Sequence, residues 1–230
     1  MSKKNKINIV RAFVDENGNY GNTTGIVVDE EQNIILSDRQ KIAIILDFTE
    51  TVFINCLNPV NISLYNPQQE TKFAGDALIS TSYFMKHVLG KGANSIICKG
   101  GKIRTWEEGG LTWIDASLEG TPSWNHKQLE NAEAVNDITK NEAFKFEHTM
   151  IWAWKNEEKG LIRSRTFLPD WGTLEDQGNG SGAMQLSKIL NRKIDIHQGF
   201  GSVIYAVPLG INSASVGGRV KVDKLRLVEI

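Results

Sequence analysis

The apolar positions of this chain fall mostly in short runs, alternating or continuous, of the kind strands make. In the first part these are Lys6–Val14, Gly25–Val28, Ile34–Leu36, Val52–Cys56 and Asn61–Tyr65. Ser95–Lys99, Lys102–Trp106 and Leu111–Ala116 follow, joined by the turns Gly100-Gly101 and Gly109-Gly110 as in hairpins. A second series comprises Thr149–Trp154, Leu161–Phe167, Ile194–Gln198, Ser202–Val207, Ala214–Val216 and Arg219–Val228. In a few places the spacing becomes helical. Ser37 is placed to cap a helix running to Leu46, and a helical patch lies around Gln128–Val135. Two further helices carry more apolar weight. One has Ala77, Leu78, Tyr83, Phe84, Met85, Val88 and Leu89 on more than one face, which calls for enclosure on most sides. The other has Ala183, Met184, Leu186, Ile189 and Leu190.

These two helices begin alike. Before the second stands Glu175-Asp176, then Gly178, Gly180, Ser181 and Gly182. Before the first stands a strand ending at Tyr65, then Pro67, Glu70 and the turn Gly75-Asp76. A glycine turn feeding a helix leaves backbone N–H groups without internal partners at the positive end of the helix dipole, which suits an anion. Ordinary helix capping by Asp76, Asp176 or Ser181 would account for either turn alone. The repetition suggests two similar units, one per half, whose helix starts face one cleft. The polar stretch Glu119–Lys145 marks the junction, giving units 1–118 and 119–230, the last strand free to pack on the first unit. Short strands with one long helix per half make an α+β architecture, each sheet curling around its helix.

Composition narrows the picture. The 230 residues are 40% hydrophobic, enough for a core, and carry a net charge of −1. Nothing in that charge invites nucleic acid or an anionic membrane. No apolar run reaches the roughly 18 residues of a membrane span, and the start reads as a strand with a basic lead, so a cytoplasmic protein is expected. The two cysteines, Cys56 and Cys98, sit in strand-like runs, and the four histidines show no metal-ligand spacing. The glycine turns lack the lysine and spacing of nucleotide loops. No metal or organic cofactor is expected. Most tryptophans lie in strand-like runs, but Trp171 sits in the loop before the second turn, where it can wall a cleft.

Five motifs in order carry a family resemblance: Gly21-Asn22, Thr49-Glu50-Thr51-Val52-Phe53, Phe73-Ala74-Gly75-Asp76-Ala77, Glu175-Asp176 through Gly180-Ser181, and Gln198-Gly199. The set resembles the PhzF-like proteins of phenazine biosynthesis, relatives of diaminopimelate epimerase. The resemblance implies two similar domains, each a curled sheet or barrel around a central helix, with the site in the cleft between them. It implies that Glu50 shuttles a proton on the substrate and that Asp176 and Ser181 bind and orient it. Gly75, Asp76, Gly180, Ser181 and Gly182 would then be substrate contacts. Asn22, in its turn, reads as structural. The epimerase relatives use a cysteine in each glycine turn; neither turn has one here, which disfavours a two-cysteine racemase. Two departures stand out. The usual histidine of the first turn is Asp76, and the usual arginine after the Gln-Gly motif is absent, with Gly201-Ser202 there instead.

The expectation is a cofactor-independent, isomerase-like enzyme moving a proton on a small carboxylate-bearing metabolite. A closing cleft would raise the Glu50 pKa by desolvation, and a nearby Asp76 carboxylate would raise it further. The alternative is a non-catalytic small-molecule-binding or regulatory protein on the same scaffold, which the loss of the histidine favours. Dimers are common in the resemblance, so a homodimer is among the states it allows.

Overall fold

The computed structural model describes residues 4–230. Strands β1 (Lys4–Val14) and β2 (Asn22–Val28) lead to helix α1 (Leu36–Leu46). Then come β3 (Glu50–Leu57), β4 (Val60–Tyr65), the two-residue β5 (Glu70–Thr71) and helix α2 (Gly75–His87). Strands β6 (Ser95–Cys98), β7 (Gly101–Glu108) and β8 (Leu111–Ser117) follow. The second half opens with β9 (Asn125–Gln128) and the short helices α3 (Ala132–Asn136) and α4 (Lys140–Ala143). It continues through β10 (Thr149–Asn156), β11 (Leu161–Leu168), β12 (Thr173–Asp176) and helix α5 (Gly180–Ile189). Strands β13 (Ile194–Gln198), β14 (Ser202–Leu209), β15 (Ser213–Val222) and β16 (Arg226–Glu229) end it.

Eight strands close into a barrel in the order β1-β2-β3-β4-β6-β7-β8-β15, and β15 pairs back onto β1. Closure removes the open edges a sheet would otherwise present. β15 also carries the rest of the ladder outward through β14, β13, β11 and β10 to β9. Helix α2 packs against six barrel strands, β1, β2, β3, β7, β8 and β15. That explains its all-round apolar pattern: Leu78, Ile79, Phe84 and Met85 are buried, as are the polar Ser80 and Thr81. Helix α5 packs on β14 and β15 and touches α2. One core joins them, with Phe13, Leu78, Met150, Ala183, Met184 and Leu186 in the same cluster. Among the described residues no helix is long and apolar enough to cross a membrane.

Three expectations change. Ile34–Leu36 is not a strand, because Leu36 already opens α1 and the cap position is Ile35, not Ser37. The helix start is fixed instead by Arg39, whose buried guanidinium meets Asp29 at 2.9 Å and donates to the Ile34 carbonyl at 3.1 Å. The patch at Gln128–Val135 divides into the end of β9 and the start of α3, which Asn131 caps. The runs on either side of Gly217-Gly218 are one strand up to Val222, and β16 is separate. These glycines look like breakers in sequence. In the fold they let β15 pass close to the Trp113 and Phe13 rings, where a Cβ would collide.

Candidate active site

The starts of α2 and α5 meet tip to tip. A Cβ placed on Gly75 would stand 3.4 Å from the Gly180 Cα, and one on Gly180 would stand 3.4 Å from the Gly75 Cα. Glycine at both positions lets the backbones approach this closely. Helix geometry leaves the Gly75, Gly180 and Ser181 N–H groups without intrahelical acceptors, and both dipoles present their positive ends here. The tips open onto a cleft of about 960 Å³ whose walls include Glu50, Asp76, Asp176, Ser181, Trp124 and Trp171.

Glu50 begins β3, opposite Thr24 of β2, and is only 7% exposed. The Thr71 hydroxyl donates to its Oε2 at 3.2 Å. Burial first, and the neighbouring Asp76 charge next, lift its pKa well above the ordinary carboxylate value; Thr71 opposes the shift and Asp176 adds to it. Asp76, 5% exposed, lies in the first turn of α2. Burial and then the Asp176 charge push its pKa up to about 7, against the hydrogen bond from Asn22 and the amides of the helix start. Asp176, half-buried at the end of β12, is also raised by desolvation, opposed by Asn22 and the Gly178 N–H.

Asn22 ties the acids together. Its Nδ2 donates to Asp176 Oδ1 at 2.8 Å, to Asp76 Oδ2 at 3.1 Å and to the Gly178 carbonyl at 3.2 Å. Gly178 N–H also donates to Asp176 Oδ1 at 2.8 Å, and Gln198 Nε2 donates to the Asp176 carbonyl at 2.9 Å. On the other side of this strand start, Gly21 turns with φ 80° and its N–H donates to Ser202 Oγ. All five sequence motifs thus converge on this one place. Asn22 was read as a turn residue, yet it is a buried part of the acid network.

Neither acid caps a helix in the manner expected. Asn179 caps α5, accepting from Gly182 N–H at 2.8 Å, and Ala74 at the α2 cap position makes no side-chain cap. Gly182, expected among substrate contacts, sits behind the tip; its N–H is engaged and the Asn179 amide folds over its Cα. Ser181 does reach the cleft, where its Oγ accepts from Trp124 Nε1 at 2.8 Å and donates to Asn179 Oδ1 at 3.2 Å. Trp124 and Trp171 have ring centres 6.1 Å apart, and His148 lies 3.9 Å from Trp171 with Nδ1 3.1 Å from Asp170. Trp171 was expected to wall the cleft and does. Trp124 and His148 carry no signal in the sequence, whereas Asn179 three residues before Gly182 is an N-cap pattern legible there. No group of three or more His, Cys, Asp or Glu among the described residues has the arrangement to hold a metal ion.

No family model matches the chain. Solved structures do. A phenazine biosynthesis protein of the PhzF family from Enterococcus faecalis superposes with a TM-score of 0.79 at 18% identity, covering 99% of each chain. The chain has the PhzF fold. The Bacillus anthracis phenazine biosynthesis protein of the PhzF family gives the same TM-score, 0.79, at 17% identity, over 99% of this chain and 100% of that one. A hydroxyproline epimerase from Agrobacterium vitis with bound trans-4-hydroxy-L-proline is more distant, with a TM-score of 0.63 at 10% identity over 99% of this chain and 93% of that one. The PhzF likeness carried by the five motifs therefore extends to the fold along almost the whole chain.

Proposed function

We propose that the chain is an isomerase-like enzyme that moves a proton on a small carboxylate-bearing metabolite, with Glu50 as the transferring group. The observation that carries this reading is a buried glutamate in a cleft where two helix starts meet. The amide groups at Gly75, Gly180 and Ser181 suit a substrate carboxylate. Polarising that carboxylate stabilises the negative charge that develops when the adjacent C–H is broken. Burial lifts the Glu50 pKa well above the ordinary carboxylate value and so favours its protonated form, which suits a group that delivers a proton and takes one back. Asp176 and Ser181 are placed to orient the substrate, and no step in this scheme calls on a metal or organic cofactor. We read the chain as two units, 1–118 and 119–230, each a curled sheet with its own helix, with the cleft between them and β15 and β16 returning to the first.

Support for an isomerase comes from the fold shared with an epimerase and from the carboxylate-bearing ligand of that protein. The test is solvent deuterium incorporation. The protein is incubated in D2O with a panel of cyclic and unsaturated amino and hydroxy acids that includes trans-4-hydroxy-L-proline, and C–H signals are followed by proton NMR. The expected result is loss of one C–H signal from at least one compound with the wild type and none with Glu50→Gln. Equal exchange by the two proteins would end the assignment of Glu50, and a panel bound but never exchanged would mark a binding protein.

A further inference from the structure

We propose that Asp76 is the second proton-transfer group of this cleft, coupled to Asp176 through the side-chain amide of Asn22. The inference rests on the proton-transfer reading and adds a second reacting side chain to it. Asp76 lies at the tip of α2, on the cleft wall, in the turn that abuts Gly180. Its carboxyl meets amides of its own helix start, as a cap would, but its Oδ2 also accepts from Asn22 Nδ2, which donates to Asp176 Oδ1 as well. Asn22 comes from β2, Asp76 from α2 and Asp176 from β12, so three distant parts of the chain are spent on fixing this pair. A single NH2 group cannot neutralise two carboxylates, so the pair favours the state that keeps one proton. The Asp176 charge pushes Asp76 in that direction, and both aspartate charges do the same to Glu50.

With Glu50 protonated and Asp76 ionised, as Asp76 becomes when pH rises past about 7, a balanced exchange is open. A substrate C–H bond breaks and its proton forms an O–H on the Asp76 carboxylate. The electron pair stays on the substrate as an enolate-type anion, its charge facing the helix-tip amides. The Glu50 O–H bond then breaks, and that proton forms a new C–H bond at the other end of the conjugated system. Glu50 is left as carboxylate and Asp76 as acid; proton exchange through solvent in the cleft restores the starting state. No electron acceptor or donor is needed. Asn22 is a positioning residue in this scheme, because it acts through the two acids.

The test uses the full chain with 13C-labelled aspartate and glutamate side chains, together with whichever compound of the D2O panel the wild type deuterates. Without any ligand, the Asp76 carboxyl resonance should titrate near neutrality and should move down by a pH unit or more in Asp176→Asn. With the exchanged compound, Asp76→Asn should lower kcat by about 100-fold or more, the usual scale for a general acid or base. It should also remove one limb of the pH profile, whereas a purely structural role would raise KM and leave the profile intact. Asp76→Glu, which restores a carboxyl group, should recover part of the rate. An Asp76 that titrates in the ordinary carboxylate range would overturn the proposal. So would an Asp76→Asn protein with wild-type kcat and pH profile while Glu50→Gln is inactive; that outcome would leave the assignment of Glu50 standing. If the wild type deuterates nothing, the underlying proton-transfer reading falls and this proposal with it.

Discussion

Replacing Asp76 by Asn should stabilise the protein at neutral pH, and the size of the effect follows from its surroundings. The carboxyl pKa rises from the ordinary 3.8 to about 7, through burial first and the Asp176 charge second. A folded-state pKa above the unfolded value means the folded chain holds the proton more tightly. That contribution is fully present below the unfolded pKa and is lost as pH rises through the folded pKa. The window here runs from about 4 to about 7. Each pKa unit is worth 1.36 kcal/mol, so a shift of about three units costs the folded state ~4 kcal/mol by pH 8. Water entering an open cleft trims that to ~2–4 kcal/mol. Asparagine cannot ionise, and its side-chain carbonyl can still accept from Asn22 Nδ2, which now donates to Asp76 at 3.1 Å. The assay is urea unfolding of both proteins at a series of pH values. The stability of the variant relative to the wild type should grow by ~2–4 kcal/mol between pH 4 and pH 8. A difference constant to within ~0.5 kcal/mol across that range would refute the reasoning.

Other changes test other parts of the site. Gly180→Ala places a methyl group 3.1 Å from Phe13 Cζ and 3.4 Å from the Gly75 Cα. The two tips must part, and the unfolding midpoint should fall by the equivalent of ~1–3 kcal/mol. Asn179→Ala removes the acceptor of Gly182 N–H and should cost ~1 kcal/mol in the same assay, with faster amide exchange in the first turn of α5. Ser181→Ala leaves Trp124 Nε1 without its partner at 2.8 Å, for a loss of ~1–3 kcal/mol and a change in tryptophan fluorescence. Arg39→Ala, remote from the cleft, strands Asp29 in a buried site and should cost ~3–5 kcal/mol while any exchange activity persists in the folded fraction.

Local patterns showed more of this molecule than distant ones did. Both glycine turns, both apolar helices and most strands were legible because each is written within 10 or so consecutive residues. The meeting of Gly75 with Gly180 was expected from the repeated order of parts, and the perturbed Glu50 followed from placing an acid in a cleft. Illegible features all depend on partners far along the chain. Asn22 meets acids 54 and 154 positions away, and Trp124 meets Ser181 across 57. The start of α1 was misread because a buried ion pair, not a side-chain cap, sets it. Gly217-Gly218 was misread because a residue chosen for what it leaves room for looks the same as one chosen to break a strand.

Barrel closure has a consequence for synthesis. The ring lacks its eighth member until β15, Ser213–Val222, pairs with β1 on one side and β8 on the other. A nascent chain emerging from the ribosome can make hairpins from β6, β7 and β8 early. It cannot close the eight-stranded ring until β15 has emerged. Contacts this distant in sequence are slow to form. Closure of the ring therefore waits on β15, and until that strand is made β1, paired with β2, and β8, paired with β7, each keep one open edge.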